Sequence, residues 1–373
     1  MMTIRTAIGV VLATGLWVAP WVAEKAAAQA PRGELTNADV PALQEALDSM
    51  RAMLEVPGAS VAVILPDGRL WPGVSGVANG AAEAVSPEML FDVGSITKTF
   101  TSALVLDLAA AGVLELGDPL TKWLPDFPNA EGVTIRQLLQ HTSGLHNYSE
   151  NPEYVPALRS DFTRVWTPED SYAYMQEPYF GPGEGWHYSN ANYQLLGQVV
   201  ERATGESYAA QLRSRILEPN GLEQTFHDGG EEVRGSRAHA FVDINGDGRP
   251  EDLTSLVPTT SFVTAAGAAG AIVSTAADLA RWARSLYEGE VVRGEWFEAL
   301  TDWVERGDGM QYGLGVIRYT PEDEALFGHK GNTVGYSASV WHAPDLGVTV
   351  AVLTNAHLVD VTPIARVLLE RAH

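Results

Sequence analysis

Ser95-Ile96-Thr97-Lys98 places a hydroxyl and an amine three residues apart, just ahead of a long apolar run. On a helix, positions i and i+3 share one face, so the two groups can touch. A serine hydroxyl is a poor nucleophile until a base takes its proton, and a buried lysine becomes such a base once its pKa falls. Two further segments fit the same chemistry. Tyr188-Ser189-Asn190 sets a phenol two residues from a carboxamide, a proton carrier beside a hydrogen-bonding arm. His329-Lys330-Gly331-Asn332 comes just before a strand-like run, Tyr336–Trp341. Gly331 would let a substrate backbone lie against that strand. The N–H of Asn332 would then complete an oxyanion hole with the N–H of Ser95.

These groups need elements to hold them. Ala103–Gly112 is apolar on nearly all sides, which predicts a helix inside the protein, ended by Gly112. Ser95 would sit at its positive N-terminal end. Val40, Leu43, Leu47, Met50 and Leu54 repeat at helical spacing, so a first helix is expected from near Asn37. Ala59–Leu65 and Arg69–Val77 are strand-like, with Pro66-Asp67-Gly68 as the hairpin turn. Residues 116–264 are punctuated by Pro, Gly and Trp and are expected to form helices and loops. Thr275-Ala-Ala-Asp278 is a capping box that opens a helix through Leu286. Strands are expected at Gly313–Tyr319, Tyr336–Trp341 and Gly347–Leu353, and a last helix at Val361–Arg371. The pattern predicts an α+β fold: an antiparallel sheet built from both termini and flanked by helices, with an inserted, mainly helical subdomain. The α/β part would be 36–115 and 265–373, and the insert 116–264. The cleft between them would hold Ser95 on one side and Tyr188 on the other. Tyr148, Tyr154, Phe180 and Trp186 are candidate cleft aromatics, His141 is expected to be structural, and His187 is expected to point away.

Taken together, Ser95-x-x-Lys98, Tyr188-Ser-Asn190 and His329-x-Gly331 resemble the motifs of the serine β-lactamase-like hydrolases. That family includes class C β-lactamases, D-alanyl-D-alanine carboxypeptidases, esterases and D-aminopeptidases. His141-Thr-Ser-Gly-Leu145, Pro182–Trp186, Leu217–Leu222 and Gly270–Ala280 also look like it. The third motif, His-Lys-Gly, is closer to the His-Thr-Gly of the carboxypeptidase branch than to the Lys-Thr-Gly of class C. The resemblance implies a covalent acyl-enzyme on Ser95. Lys98 would accept the serine proton, and Tyr188 would be the alternative base or the donor to the leaving group; the sequence leaves the two open. Asn190 would orient the acyl side chain's amide, and His329 would lie toward the leaving group. An imidazole there is only partly charged at neutral pH, which weakens attraction to a substrate carboxylate. The implied function is a secreted serine hydrolase acting on D-amino-acid peptides or on small esters and amides. The alternatives are a β-lactamase and a non-turnover penicillin-binding sensor or scaffold. No cofactor is required for this chemistry.

The net charge of −23 opposes binding to nucleic acid or to anionic lipid, so the expected partner is a small-molecule or peptide substrate. Only four lysines are present, and two of them, Lys98 and Lys330, fall inside motifs. Residues 1–28 are expected to be a signal peptide. Arg5 starts it, an apolar run follows from Ala7 to Ala23, and Ala26-Ala27-Ala28 offers a cleavage site. A secreted or periplasmic location follows, with no stable membrane insertion after cleavage. The absence of Cys excludes disulfides and a lipid-anchored N-terminus. Asp243, Asn245, Asp247 and Glu251, with Gly248 at the sixth position, resemble a structural calcium loop. Thr254 stands at the twelfth position, where a bidentate Glu is expected, so an acidic surface turn is the competing reading. No His-x-His or His-Glu-x-x-His is present, and a catalytic zinc is not expected.

Overall fold

The computed structural model describes residues 40–321 and 324–372; the expected signal peptide lies outside them. In chain order the strands are β1 (Gly58–Ile64), β2 (Leu70–Gly76), β3 (Phe91–Asp92), β4 (Thr225–His227), β5 (Phe241–Val242), β6 (Glu251–Asp252), β7 (Ile272–Ser274), β8 (Val304–Glu305), β9 (Met310–Tyr312), β10 (Ile317–Tyr319), β11 (Leu326–Thr333), β12 (Tyr336–Ala343) and β13 (Val348–Thr354). The large sheet has the order β2-β1-β13-β12-β11-β10-β9-β8. Its neighbours are antiparallel throughout. The first and last parts of the chain therefore meet at the β1–β13 pair, where Ala59 faces Thr354.

β1, β12 and β13 are buried along their whole length because helices cover both faces. Val40–Met53 and Thr362–Arg371 pack on one face around Leu43, Leu47, Ile364 and Leu368. Ala276–Tyr287 and Thr97–Ala110 belong to the other, larger core. In Thr97–Ala110 every residue but Asp107 and Ala110 is buried, and Gly112 ends the run with φ +70°. Trp282 stacks on Phe100 with centroids 4.2 Å apart and donates its indole N–H to Thr99.

Three features differ from the sequence pattern. The pattern places a strand only from Tyr336, yet pairing extends back through β11, with Gly331 opposite Ala338. Gly and Lys carry little strand propensity, and the ladder with β12 supplies what propensity does not. The middle of the chain is mainly helix and loop, as expected, but it also carries the short strands β4, β5 and β6. β4 joins β3 and β7 in a second sheet, and helix Thr260–Gly270 runs across residue 264. At Thr275 only half of the capping box forms. The hydroxyl accepts from the N–H of Asp278, while the Asp278 carboxylate turns to the N–H of Gln224.

Candidate active site

β3 leads through Val93 into a 3-10 turn, Gly94–Ile96, and then into helix Thr97–Ala110. Gly94 takes φ +54°, and a Cβ there would come within 2.7 Å of the Asn332 nitrogen. Only glycine fits a backbone that is both left-handed and pressed against another strand. The turn and helix bring Lys98 Nζ to 3.0 Å from Ser95 Oγ. Lys98 is fully buried, and its other contacts are Asn190 Oδ1 at 2.9 Å and the Ala269 carbonyl at 2.7 Å. Burial pushes its pKa well below the usual lysine value. A neutral amine has two N–H donors and one lone pair. The carboxamide oxygen and the backbone carbonyl can only accept, so they take both donors. The lone pair is left facing the hydroxyl of Ser95.

Asn190 opens helix Asn190–Thr204, and Tyr188 lies just before it. The Tyr188 ring centroid is 4.8 Å from Lys98 Nζ. Burial pushes the phenol's pKa up, and a hydrogen bond with Ser95 pulls it back in part. The segment is held by His141, which caps helix Ile135–Gln140 with φ +62°. His141 Nδ1 accepts from the Ser189 N–H and from the Asn192 amide, both at 3.2 Å. Its carbonyl accepts from the His187 N–H at 3.0 Å, and its ring centroid sits 4.3 Å from that of Tyr188. Burial holds His141 neutral. This residue is structural, as the sequence suggested, but what it structures is the Tyr188–Asn190 segment. The His-Thr-Ser-Gly stretch was the available signal. His187 turns to the rim, where Glu150 is 3.1 Å away.

His329 and Gly331 lie on β11, on the side of the Ser95 turn. His329 is buried. Its Nδ1 is 2.6 Å from the Lys330 carbonyl, and its Nε2 is 3.2 Å from the Tyr312 hydroxyl. The carbonyl can only accept, so Nδ1 carries the proton and Nε2 accepts from Tyr312. Burial brings the ring's pKa down to about 3. The side chain is therefore uncharged at neutral pH, where the sequence suggested partial charge. Gly331 serves a different neighbour from the one expected. A Cβ there would collide with the Val93 carbonyl oxygen and come within 3.0 Å of the Ser95 nitrogen. The glycine makes room for the protein's own backbone. Thr333 and Tyr336 flank the two-residue turn Val334-Gly335, so they form a closely bonded pair. By alternation, the Asn332 N–H points away from β12, next to Gly94 and Ser95. Lys330, on the other side of the strand, reaches toward Asp360 at 3.8 Å.

A cleft opens beside Ser95, Asn190 and Asn332. Tyr148, Tyr154, Phe262 and Val263 give it an apolar wall, and Asp92 and Arg237 are the charged groups that line it. Arg237 is held between Asp92 and Asp228. Of the aromatic candidates, Tyr148 and Tyr154 reach this cleft; Trp186 packs instead against His141 and Tyr312. The four calcium-loop candidates do not converge on one point. Asp243 accepts from the N–H groups of Gly246, Asp247 and Gly248. Asn245 and Glu251 bond to each other, and Asp247 accepts from the Arg249 N–H. The oxygens are turned to the loop's own donors. Among the described residues no group of three or more acidic or His side chains could hold an ion. No described helix is long and apolar enough to cross a membrane.

The chain is similar in structure to a D-stereospecific amidohydrolase from Streptomyces sp., with a TM-score of 0.76 and 30% identity over 88% of this chain and 97% of that one. It is also similar to a D-amino acid amidase from Ochrobactrum anthropi SV3 complexed with L-phenylalanine amide. There the TM-score is 0.79, with 26% identity over 90% and 98% of the two chains. In sequence it is 30% identical to penicillin-binding protein 4 of Amycolatopsis lactamdurans, over 84% of each chain. It is also 30% identical to penicillin-binding protein 4* of Bacillus subtilis (strain 168), over 71% of this chain and 60% of that longer one. The β-lactamase family model matches residues 43–372, and the chain belongs to that family of serine hydrolases.

Proposed function

We propose that the protein acylates on Ser95 and hydrolyses amides or small esters of D-amino acids and D-amino-acid peptides. The observation that carries this reading is the set of three Lys98 contacts, which leaves the amine's lone pair for the Ser95 proton. In the proposed reaction the Ser95 oxygen attacks the carbonyl carbon while its proton passes to Lys98. The N–H groups of Ser95 and Asn332 stabilise the oxyanion. The C–N or C–O bond then breaks, and the leaving group takes a proton by way of Tyr188. Water repeats the sequence to release the acid. A phenol whose pKa is pushed up is a poor base but a sound proton relay, which favours Lys98 as the base. Asn190 would also meet the acyl side chain's amide. The chemistry uses only side chains and backbone of this chain.

The charges support a neutral leaving group. His329 is uncharged, Lys330 reaches toward Asp360, and Arg306 is buried against Asp308. Arg237 is flanked by two carboxylates. A substrate carboxylate gains little from any of these, so amides and esters should be better substrates than β-lactams or carboxyl-terminal D-alanine. The names of the amidase neighbours agree with this preference. Export is part of the proposal and rests on the leader-like residues 1–28.

The test is intact-mass spectrometry of the wild type and of Ser95→Ala after exposure to benzylpenicillin, alongside turnover of D-phenylalanine amide and p-nitrophenyl acetate. An adduct or turnover seen only in the wild type is expected. Equal turnover by Ser95→Ala would sink the acyl-enzyme reading. Efficient penicillin hydrolysis with no amide or ester turnover would sink the proposed preference.

A further inference from the structure

We infer that Ser149 is a positioning residue for the reaction: it locks the orientation of the Asn190 carboxamide, and through it directs the Lys98 lone pair at Ser95. The inference rests on the acyl-enzyme reading above. The hydrogen bonds run one way. At the rim, the Asn147 amide nitrogen donates to Glu150 Oε1 at 3.2 Å. The Asn147 oxygen must then face inward, where it accepts from the Asn190 N–H at 3.1 Å and from the Ser149 hydroxyl at 2.9 Å. A hydroxyl has one proton, and Ser149 has spent it on Asn147. Toward Asn190 Nδ2, 3.2 Å away, it can only accept. The Asn190 nitrogen is thereby fixed toward Ser149, and its oxygen toward Lys98 at 2.9 Å.

The start of this chain is held by charge. Burial pushes the Glu150 carboxyl up, but hydrogen bonds from His187 and Tyr179 outweigh it and bring the pKa down to about 2. An ionised carboxylate only accepts, so Asn147 does not flip. Ser149 is itself buried, and Asn147 is fully so. The Ser149 hydroxyl bonds Asn147 and Asn190, and Asn190 is the member of this set that touches Lys98.

Without the Ser149 hydroxyl, the Asn190 carboxamide is free to turn its N–H₂ toward Lys98. Two effects follow. A donor facing an ammonium destabilises the charged form, so the Lys98 pKa falls further. The same donor competes with Ser95 for the lone pair of the neutral amine, so the active fraction shrinks. The titratable neighbours of Lys98 are Tyr188 and Tyr193, whose rings lie 4.8 and 5.4 Å from Nζ, and, farther off, His141 and His329. None is a carboxylate that could mask the shift.

The test compares wild type, Ser149→Ala and Ser149→Thr, with p-nitrophenyl acetate as substrate. It follows kcat/KM from pH 5 to 10, and active serines are counted by a fluorophosphonate and intact mass. Ser149→Ala is expected to lose about 10-fold or more at the plateau and to move the acid limb to lower pH. Ser149→Thr, which keeps the hydroxyl, is expected to restore both. An unmoved acid limb in Ser149→Ala overturns the inference, whatever happens to the rate. If Ser149→Ala does not fold, Glu150→Gln loosens the other end of the chain and must move the limb in the same direction. A wild type that turns over the ester without modification at Ser95 overturns the acyl-enzyme reading, and this inference with it.

Discussion

Gly331→Ala separates two explanations for the glycine of the third motif. If the space above Gly331 were reserved for substrate, an added methyl would raise KM and leave the free protein unchanged. The structure gives that space to the Val93 carbonyl, with the Ser95 nitrogen within 3.0 Å of the new Cβ. An ordinary carbon–oxygen contact is about 3.3 Å, so β11 and the Gly94–Ile96 turn must part. Overpacking of this kind costs about 1–3 kcal/mol. For a chain of this length each kcal/mol is worth about 2 °C, so the melting temperature should fall by about 2–6 °C. The parting also widens the space between the Ser95 and Asn332 N–H groups. A displacement of about 1 Å costs about 100-fold in rate, and it falls on kcat. The assays are thermal unfolding without ligand and steady-state kinetics on p-nitrophenyl acetate. An alanine variant with an unchanged melting temperature and a raised KM alone would refute the packing argument.

Two further outcomes follow from the same geometry. His329→Lys puts an amine beside Tyr312 and near Lys98; it should improve the ratio of β-lactam to amide turnover by about 10-fold, and an unchanged ratio would rule out His329 as a source of preference. Stability should fall as pH drops from about 6.5, because His329 and His342 are held neutral in the fold, with pKa values of about 3 and about 4. The unfolded chain binds the extra protons, so each histidine withdraws about 1.4 kcal/mol per pH unit until its folded pKa is reached. His342→Gln should flatten the slope of melting temperature against pH between 6 and 4, and an unaltered slope would assign the acid sensitivity elsewhere.

What was legible in the sequence is what depends on short range. The Ser95–Lys98 spacing needs only one helical turn, and the burial of that turn was visible in the apolar run that follows it. The hairpin at Pro66–Gly68 and the cap at Thr275 are likewise local. The residues that tune the site were not legible, because their roles arise from pairings far apart in the chain. Gly331 matters to Val93, 238 positions earlier, only because β11 packs against the Gly94–Ile96 turn. Its residue type pointed to a close approach but could not say by what. His141 looked structural because a lone histidine in a turn usually is; that it holds Tyr188 depends on the hydrogen bonds between the His141 turn and residues 183–189. Ser149 carried no signal at all. A serine in a polar loop is unremarkable until the fold sets it between two carboxamides, and then its single proton decides which way both of them face.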